Sequence, residues 1–328
     1  MRETSLWLRY FASSLLLLPL LTGLLLLPRW LSLYWLDVAI NVLLWACLAS
    51  AWNIAAGLAG GLSLGHAAFL GVGAYSATLL FLRFGLSPWL GMFVGAGLAA
   101  GLGALLALLT LRLRGPFFVL ATLAFGMVAH IMAVNWRGLT RGAAGLALPF
   151  RGGAANMLFA EFSSYWYLGL GLLLLIIGLN YAIVHAPLGY YLIALREDED
   201  AARSLGVRVV RSKLIAVTIS AALTALAGTF YAVFVQYIDP SSTTQFELSV
   251  QIALVAIVGG LGTIWGPSLG ALIVVPLGEV LRARLGGGPS LLIYGSLLTV
   301  VVLAAPQGVW PALQALGRGL WRRVQRDA

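Results

Sequence analysis

The sequence is poor in charged residues and rich in apolar ones. Of its 328 residues only 9% are charged, whereas 61% are hydrophobic. Soluble domains carry roughly 25% charged residues, and a surface in contact with water needs more polar side chains than this chain has. Lipid is therefore the solvent that suits it. Because a helical span takes about 20 apolar residues, a chain of this length predicts an all-α, multi-pass membrane protein with roughly ten transmembrane helices.

The sequence also has little of the side-chain chemistry that enzymes need. Its single lysine, Lys213, follows Val-Val-Arg-Ser and no glycine-rich loop, so the chain lacks a P-loop lysine that could reach nucleotide phosphates. The three histidines are far apart, and neither HExxH nor CxxC occurs. The lone Cys47 cannot form an internal disulfide or a thiolate metal cluster. We therefore predict that the chain is not an enzyme and that it holds no metal and no cofactor of its own.

Cations outnumber acidic residues by 20 to 11, which gives a net charge of +9. In a soluble protein this excess would suggest nucleic acid. Here the cations lie in loops and tails, where the positive-inside rule explains them, so no nucleic-acid partner is expected. Apolar runs bounded by charge, Pro or Gly predict these spans, including short or broken helices: 12–28, 37–58, 63–82, 88–110, 116–135, 164–184, 213–236, 247–259, 266–281 and 289–305.

The distribution of cations predicts the orientation. An N-terminus inside the cell leaves thirteen cations on the cytoplasmic side and seven on the other, so both termini are predicted to be cytoplasmic. No small-residue cleavage site follows the first apolar run, which favours an uncleaved span over a signal peptide. Composition indicates one transmembrane domain, 1–328. Outside the spans we predict a periplasmic loop, a cytoplasmic coupling loop and a basic cytoplasmic tail: 136–163, 185–212 and 306–328.

A glycine motif occurs twice. Gly-Gly-Leu at 60–62 with Leu-Gly at 70–71 recurs at 259–261 and 269–270, a constant displacement of 199 residues. A parallel internal repeat is an architecture of transport folds, but short matches in a chain with 39 glycines also arise by chance. The span 247–259, which ends at the second copy, is short enough to be a half-helix or re-entrant segment.

The most charged segment is 194–206, ALREDEDAARSLG. Acidic residues in the first turns, Arg203 near the end and a left-handed stop at Gly206 predict a short helix. The pairs Glu199–Arg203 and Arg196–Asp200 have i,i+4 spacing. Three apolar residues, Leu195, Ala202 and Leu205, leave one face able to dock into a groove. The alternative is a solvated loop between spans.

Four stretches resemble, in the same order, the LivM-type permeases of ATP-binding cassette importers for branched-chain amino acids. They are 61–75 (GLSLGHAAFLGVGAY), 111–126 (LRLRGPFFVLATLAFG), 194–206 and 258–271 (VGGLGTIWGPSLGA). The resemblance covers most of 38–305 and implies a type II ABC-importer-like permease in the bacterial inner membrane. It implies that 194–206 couples the chain to the ATPase subunits, through Arg196, Glu197, Asp198, Glu199, Asp200, Arg203 and Gly206.

The same resemblance implies the partners. These are a second, LivH-like permease subunit, two cytoplasmic ATP-binding cassette subunits that hold ATP and Mg, and a periplasmic substrate-binding protein, all around a lipid bilayer. Whether the second permease is a different chain or a second copy stays open. Related permeases move urea, short amides or other small polar organics, so these substrates stand as the alternative to apolar amino acids.

The glycine-rich motifs have two interpretations. Small residues can simply let helices approach closely in lipid. Alternatively they mark broken helices beside the translocation path, whose free backbone groups must face protein or water. The candidates for that second role are Asn53, Gly60, Gly61, Ser63, Gly65, His66, Gln251, Gly259, Gly260 and Gly262. His66 is expected to be a hydrogen-bonding residue at a helix end, since an ATP-driven importer needs no proton relay.

An ion-coupled secondary transporter is the main alternative class. Such proteins generally place carboxylates within the membrane. Here Asp37, Glu161, Asp239, Glu247 and Glu279 all fall at the ends of predicted spans. A purely structural subunit, beside a partner that carries the pathway, also stays open.

Overall fold

In a computed structural model, the chain is a bundle of long apolar helices. The structure describes residues 22–110, 113, 115–286, 293, 295–296, 299–300, 303 and 305–316. Within these residues seven helices are long and apolar enough to cross a membrane. The predicted all-α, multi-pass class is therefore confirmed. Most of the first and last predicted spans, 12–28 and 289–305, and the end of the basic tail lie outside the described residues.

The helices follow the chain in simple order, after a helical stretch over 22–30. They are α1 Leu33–Asn53, α2 His66–Phe84, α3 Pro88–Leu109, α4 Pro116–Asn135, α5 Arg137–Thr140, α6 Phe162–His185, α7 Pro187–Glu197, α8 Glu199–Ser204, α9 Val209–Val235, α10 Pro240–Thr243, α11 Phe246–Gly259 and α12 Gly266–Leu285. A π-helical turn, Ile54–Leu58, continues α1. Two short strands, β1 Leu146–Ala147 and β2 Tyr237–Ile238, pair antiparallel.

Proline and glycine set the helix boundaries. Pro88, Pro116 and Pro187 each stand at the first position of a helix, where the missing N–H costs nothing and the fixed φ suits the first turn. Gly85 ends α2 with φ 66°, in the left-handed region, a conformation that glycine adopts without a Cβ clash. The short connections predicted between these spans follow from these residues.

Helices α1, α2 and α9 form the centre of the bundle, and small residues let them approach closely. A Cβ on Gly73 of α2 would overlap the Ala225 carbonyl of α9, and a Cβ on Gly228 of α9 would overlap the Leu70 carbonyl of α2. Thr229 Oγ1 donates to the Gly73 carbonyl at 3.1 Å across the same crossing. Lipid supplies no hydrophobic force between helices, so close contact of this kind is what holds them together.

The connections collect at two ends of the bundle. At one end Arg83 donates to the Gly138 carbonyl at 2.6 Å, Trp89 Nε1 donates to Ala154 O at 2.9 Å, and β1 pairs with β2. At the opposite end the Gly-rich turns after α1 and α11 lie beside the α7–α8 connection. The connections thus alternate between the two ends of the bundle. Which end faces the cytoplasm stays a prediction.

Candidate functional site

Both copies of the glycine motif form a break between two helices. After the π-helical turn the chain runs without helix over 59–65 before α2 begins at His66. After α11 it turns over 260–265 before α12 begins at Gly266. Positive φ angles occur at Gly60 (72°), Gly260 (126°) and Gly262 (72°), in the region that favours glycine. Both copies of the repeated sequence therefore lie at a helix break, although the equivalent glycines Gly60 and Gly259 differ in backbone conformation. Helix α11, at 14 residues, is the short helix that the sequence predicts.

Asn53 joins the two breaks. Its Oδ1 accepts from the Gly262 N–H at 2.9 Å, and its Nδ2 donates to the Thr263 carbonyl at 2.9 Å. The side chain is buried, and both ends of its amide are bonded to backbone of the second break. Gly57 gives this contact its space, because a Cβ there would overlap Asn53 Oδ1 and lie 2.5 Å from Gly262 N.

His66 lies in a buried hydrogen-bonded chain at the start of α2. Ser220 Oγ donates to Ala51 O at 2.7 Å and lies 2.8 Å from His66 Nε2, so Nε2 carries the proton and donates to Ser220. His66 Nδ1 then accepts from Ser63 Oγ at 3.0 Å. Trp52 Nε1 donates to the Ser63 carbonyl at 2.7 Å. Both ring nitrogens thus hold neighbouring segments together, which favours a hydrogen-bonding role over proton transfer.

Residues 61–65, GLSLG, also match the Gly-x-Ser-x-Gly pattern of serine hydrolases. That pattern works where a strand-to-helix turn exposes the serine and a carboxylate orients the histidine. Here the described residues before Ser63, 22–62, contain no strand, the hydroxyl is buried, and the second nitrogen of His66 meets Ser220 instead of an acid. The match carries no hydrolytic chemistry.

The first break packs against α4, and the second against residues after the last predicted span. A Cβ on Gly65 would lie 2.5 Å from the Thr122 carbonyl, and Gly61 lies beside the Phe118 ring. A Cβ on Gly260 would lie 2.8 Å from Pro311. Gly259 is covered by the backbone of Gly266. Close contacts, with backbone at Gly65 and Gly259 and with a ring at Gly61 and Gly260, thus account for these predicted glycines.

Gln251 is the candidate that the structure does not bring to the breaks. Its side chain lies on the exposed surface of α11, eight residues before Gly259. One residue of the site was not predicted: Lys213, whose contact with Glu199 depends on the fold.

The predicted coupling segment is two helices, where the sequence predicted one. The chain is extended at Asp198 (φ −156°, ψ 113°), which ends α7 and starts α8. Asp198 caps α8, since its carboxylate accepts from the Asp200 N–H at 2.9 Å and the Ala201 N–H at 3.0 Å. The predicted Arg196–Asp200 pair is wrong for this reason: the two residues lie on different helices. We call 187–206, which contains α7 and α8, the elbow.

Glu199 ties the elbow to α9. Its carboxylate accepts from Arg203 Nη2 at 3.2 Å, as the i,i+4 spacing predicts, and from Lys213 Nζ at 2.5 Å. The Glu199 side chain is 15% exposed, whereas those of Glu197 and Asp200 are 69% and 70% exposed. Gly206 has φ 85°, the left-handed stop that the sequence predicts. Of the four acidic residues at 197–200, Glu199 thus points inward and the other three are exposed.

The apolar face of the elbow is used within the chain. Leu195, Ala202 and Val209 are buried against one another. Leu205, by contrast, is 84% exposed. The prediction that Leu195, Ala202 and Leu205 share a free docking face is therefore wrong, because two of them hold α7 and α8 against α9.

Arg196 lies between the elbow and the breaks. Its Nη1 donates to the Gly57 carbonyl at 3.1 Å, and its Nε and Nη2 donate to Glu197 Oε1 at 3.1 and 2.7 Å. A cavity of about 560 Å³ opens beside it, lined mainly by apolar residues of the first break and the α3–α4 connection. Arg196, Glu199 and Lys213 contribute the charged part of its wall.

These features define a multi-pass membrane protein in which broken helices meet a charged surface elbow. Among the described residues no cluster of His, Cys, Asp or Glu could hold a metal ion. Residues 34–305 match the family described as branched-chain amino acid transport system / permease component. The chain belongs to this family, and it is a transport subunit and not an enzyme.

Two curated branched-chain amino acid permeases match this chain over most of its length. The high-affinity branched-chain amino acid transport system permease protein LivM of Escherichia coli (strain K12) is 33% identical over 298 residues, 84% of this chain and 69% of the relative. The probable branched-chain amino acid transport permease protein LivH of Methanocaldococcus jannaschii is 28% identical over 75% of this chain and 82% of its own length. The ribose import permease protein RbsC of Haemophilus influenzae is 29% identical over 38% of this chain and 42% of its own. No solved structure matches the chain at a comparable level.

Proposed function

We propose that the chain is the membrane-spanning subunit of an ATP-driven importer that carries branched-chain or other apolar amino acids across the bacterial inner membrane. A second permease subunit, two ATP-binding cassette subunits and a periplasmic binding protein complete the importer. The observation that carries this proposal is the elbow, a rigid, charged projection bonded to both α9 and the first helix break. Such a projection gives an ATPase a place to act on the transmembrane helices.

The substrate class is supported by two observations. The branched-chain permeases match 75% or more of this chain, whereas the ribose permease matches 38% of it. The cavity beside the first break has mainly apolar walls, and sites for small molecules are generally lined in this way around a few polar groups. A zwitterion with an apolar side chain suits such a passage better than a sugar with many hydroxyls to satisfy.

The exposed acids of the elbow offer a test of ATPase docking. We expect the double substitution Glu197→Ala and Asp200→Ala to weaken co-purification of the ATPase subunits and to lower ATP hydrolysis stimulated by loaded binding protein about tenfold, because charge pairs across an interface set its affinity and orientation. Asp198 and Glu199 are left in place, since they cap α8 and bond Lys213. The elbow should therefore stay folded.

The matched control is Glu161→Ala with Glu247→Ala, two exposed acids near the opposite end of the bundle. This variant should assemble with the ATPase subunits as the wild type does. Uptake is measured in proteoliposomes with ATP inside. Wild-type uptake that persists without ATPase subunits, or a double elbow variant that assembles and hydrolyses ATP normally, would contradict the proposal.

A further inference from the structure

The glycines of both motifs make room for one side chain of the elbow. A Cβ on Gly262 would overlap Arg196 Nη1 and lie 2.9 Å from the Gly57 carbonyl. A Cβ on Gly60 would lie 3.2 Å from both Cα and Cγ of Arg196. Two breaks that lie about 200 residues apart in sequence thus contact the same side chain, the first at the Cα–Cγ stem of Arg196 and the second at its guanidinium.

The contacts of Arg196 divide between a buried group and an exposed one. Nη1 holds the carbonyl of Gly57, inside the π-helical turn, while Nε and Nη2 hold Glu197, whose side chain is 69% exposed. Arginine suits this arrangement because its planar fork presents several donors at fixed angles. A partner that engages the Glu197 carboxylate competes with Arg196 for it and so changes the hold of Arg196 on Gly57.

Asn53 extends this connection to the second break. Gly262, whose Cα lies against the Arg196 guanidinium, donates its N–H to Asn53 Oδ1, one turn before Gly57 on the same helix. A displacement of Arg196 therefore reaches α1 through Gly57 and α11–α12 through Gly262. Helix α1 is central to the bundle, and α11 and α12 pack against it, so both contacts of Arg196 lead to helices that touch one another.

We propose that Arg196 is a positioning residue, a latch that fastens the elbow to both helix breaks and transmits displacement of Glu197 to them. This inference deepens the proposed function and rests on it for the source of the displacement. It assigns to Arg196 a role inside the chain, whereas its place in the acidic segment suggested contact with the ATPase.

Hydrogen exchange of the chain in lipid nanodiscs tests the latch without ATPase subunits. In Arg196→Ala, amides of 57–62 and 260–265 should exchange about tenfold faster, the scale of one lost hydrogen bond to a charged donor. The exchange rates of Arg196→Lys should lie between those of the wild type and of Arg196→Ala, because one ammonium cannot hold Gly57 and Glu197 together in the geometry of the guanidinium fork. The control is Arg282→Ala, which removes an arginine paired with Glu279 at 3.1 Å at the opposite end. Unchanged exchange in both Arg196 variants overturns the latch.

Complexes reconstituted with the ATPase subunits test whether Arg196 transmits displacement of Glu197 to the helix breaks. Arg196→Ala should keep the ATPase subunits through co-purification but lose about tenfold in solute moved per ATP hydrolysed, whereas Arg282→Ala should match the wild type. A wild-type ratio of solute moved to ATP hydrolysed in Arg196→Ala overturns the proposal that Arg196 transmits displacement to the breaks. Loss of the ATPase subunits from this variant overturns it too, because Arg196 then belongs to the docking surface. If wild-type complexes show no ATP-dependent uptake, the proposed function fails, and the exchange result alone decides on the latch. If Arg196→Ala does not fold, Arg196→Lys supplies both comparisons.

Discussion

Gly228→Leu is expected to prevent the chain from folding into a stable bundle. A Cβ at this position would overlap the Leu70 carbonyl, so the contact is with backbone that cannot rotate away. Overpacking of a core typically costs about 1–3 kcal/mol where side chains can adjust. Here α2 and α9 must separate, and the Thr229–Gly73 hydrogen bond at 3.1 Å is lost with them. We expect little monodisperse protein in detergent and no cooperative thermal transition.

The control for this substitution is Gly97→Leu. Gly97 lies on the exposed surface of α3, and no heavy atom lies within 4 Å of a Cβ built there. The same change of residue should therefore leave size-exclusion profile and melting temperature near those of the wild type. A Gly228→Leu variant as monodisperse and as stable as Gly97→Leu would show that the two helices do not depend on close approach at this crossing.

The helices were predictable because local composition determines where they begin and end. Each long apolar run within 33–285 became a helix near the expected boundaries, and proline and glycine ended or started helices where their backbone preferences require it. The repeated glycine motif was also visible, and each of its two copies lies at a helix break. What local patterns could not give is that the breaks touch, since the Asn53–Gly262 contact joins residues 209 apart in sequence.

In the elbow, too, contacts between neighbouring residues were predictable and contacts between distant residues were not. Glu199–Arg203 and the left-handed Gly206 were predicted correctly because both depend on neighbouring residues. The Arg196–Asp200 pair failed, because Asp198 caps a new helix and turns the chain between them. Arg196 bonds the Gly57 carbonyl instead, 139 residues away. A charged segment with several possible partners takes those that the tertiary fold supplies, and spacing alone does not reveal them.

Asn53→Ala is expected to be the most damaging polar substitution at the breaks. It removes two hydrogen bonds at once and leaves the Gly262 N–H and the Thr263 carbonyl without their partner. A buried polar group that loses its partner costs about 1–3 kcal/mol, although side-chain hydrogen bonds between membrane helices average only about 0.6 kcal/mol. The higher figure applies better here, because both orphaned groups belong to non-helical backbone. We expect a clear fall in melting temperature and a loss of most uptake.

Two variants separate this interpretation from a general effect of losing an amide. Asn135→Ala removes one local bond, from Nδ2 to the Ile131 carbonyl at 2.8 Å, on an exposed residue, so it should change stability by less than about 0.5 kcal/mol. Asn53→Asp keeps an acceptor for Gly262 but turns a carboxylate oxygen toward the Thr263 carbonyl, so it should be at least as damaging as alanine. Equal melting temperatures for Asn53→Ala and Asn135→Ala would mean that the second break holds its shape without Asn53. The glycine motifs would then meet by packing alone, because the amide would add nothing to the contact between them.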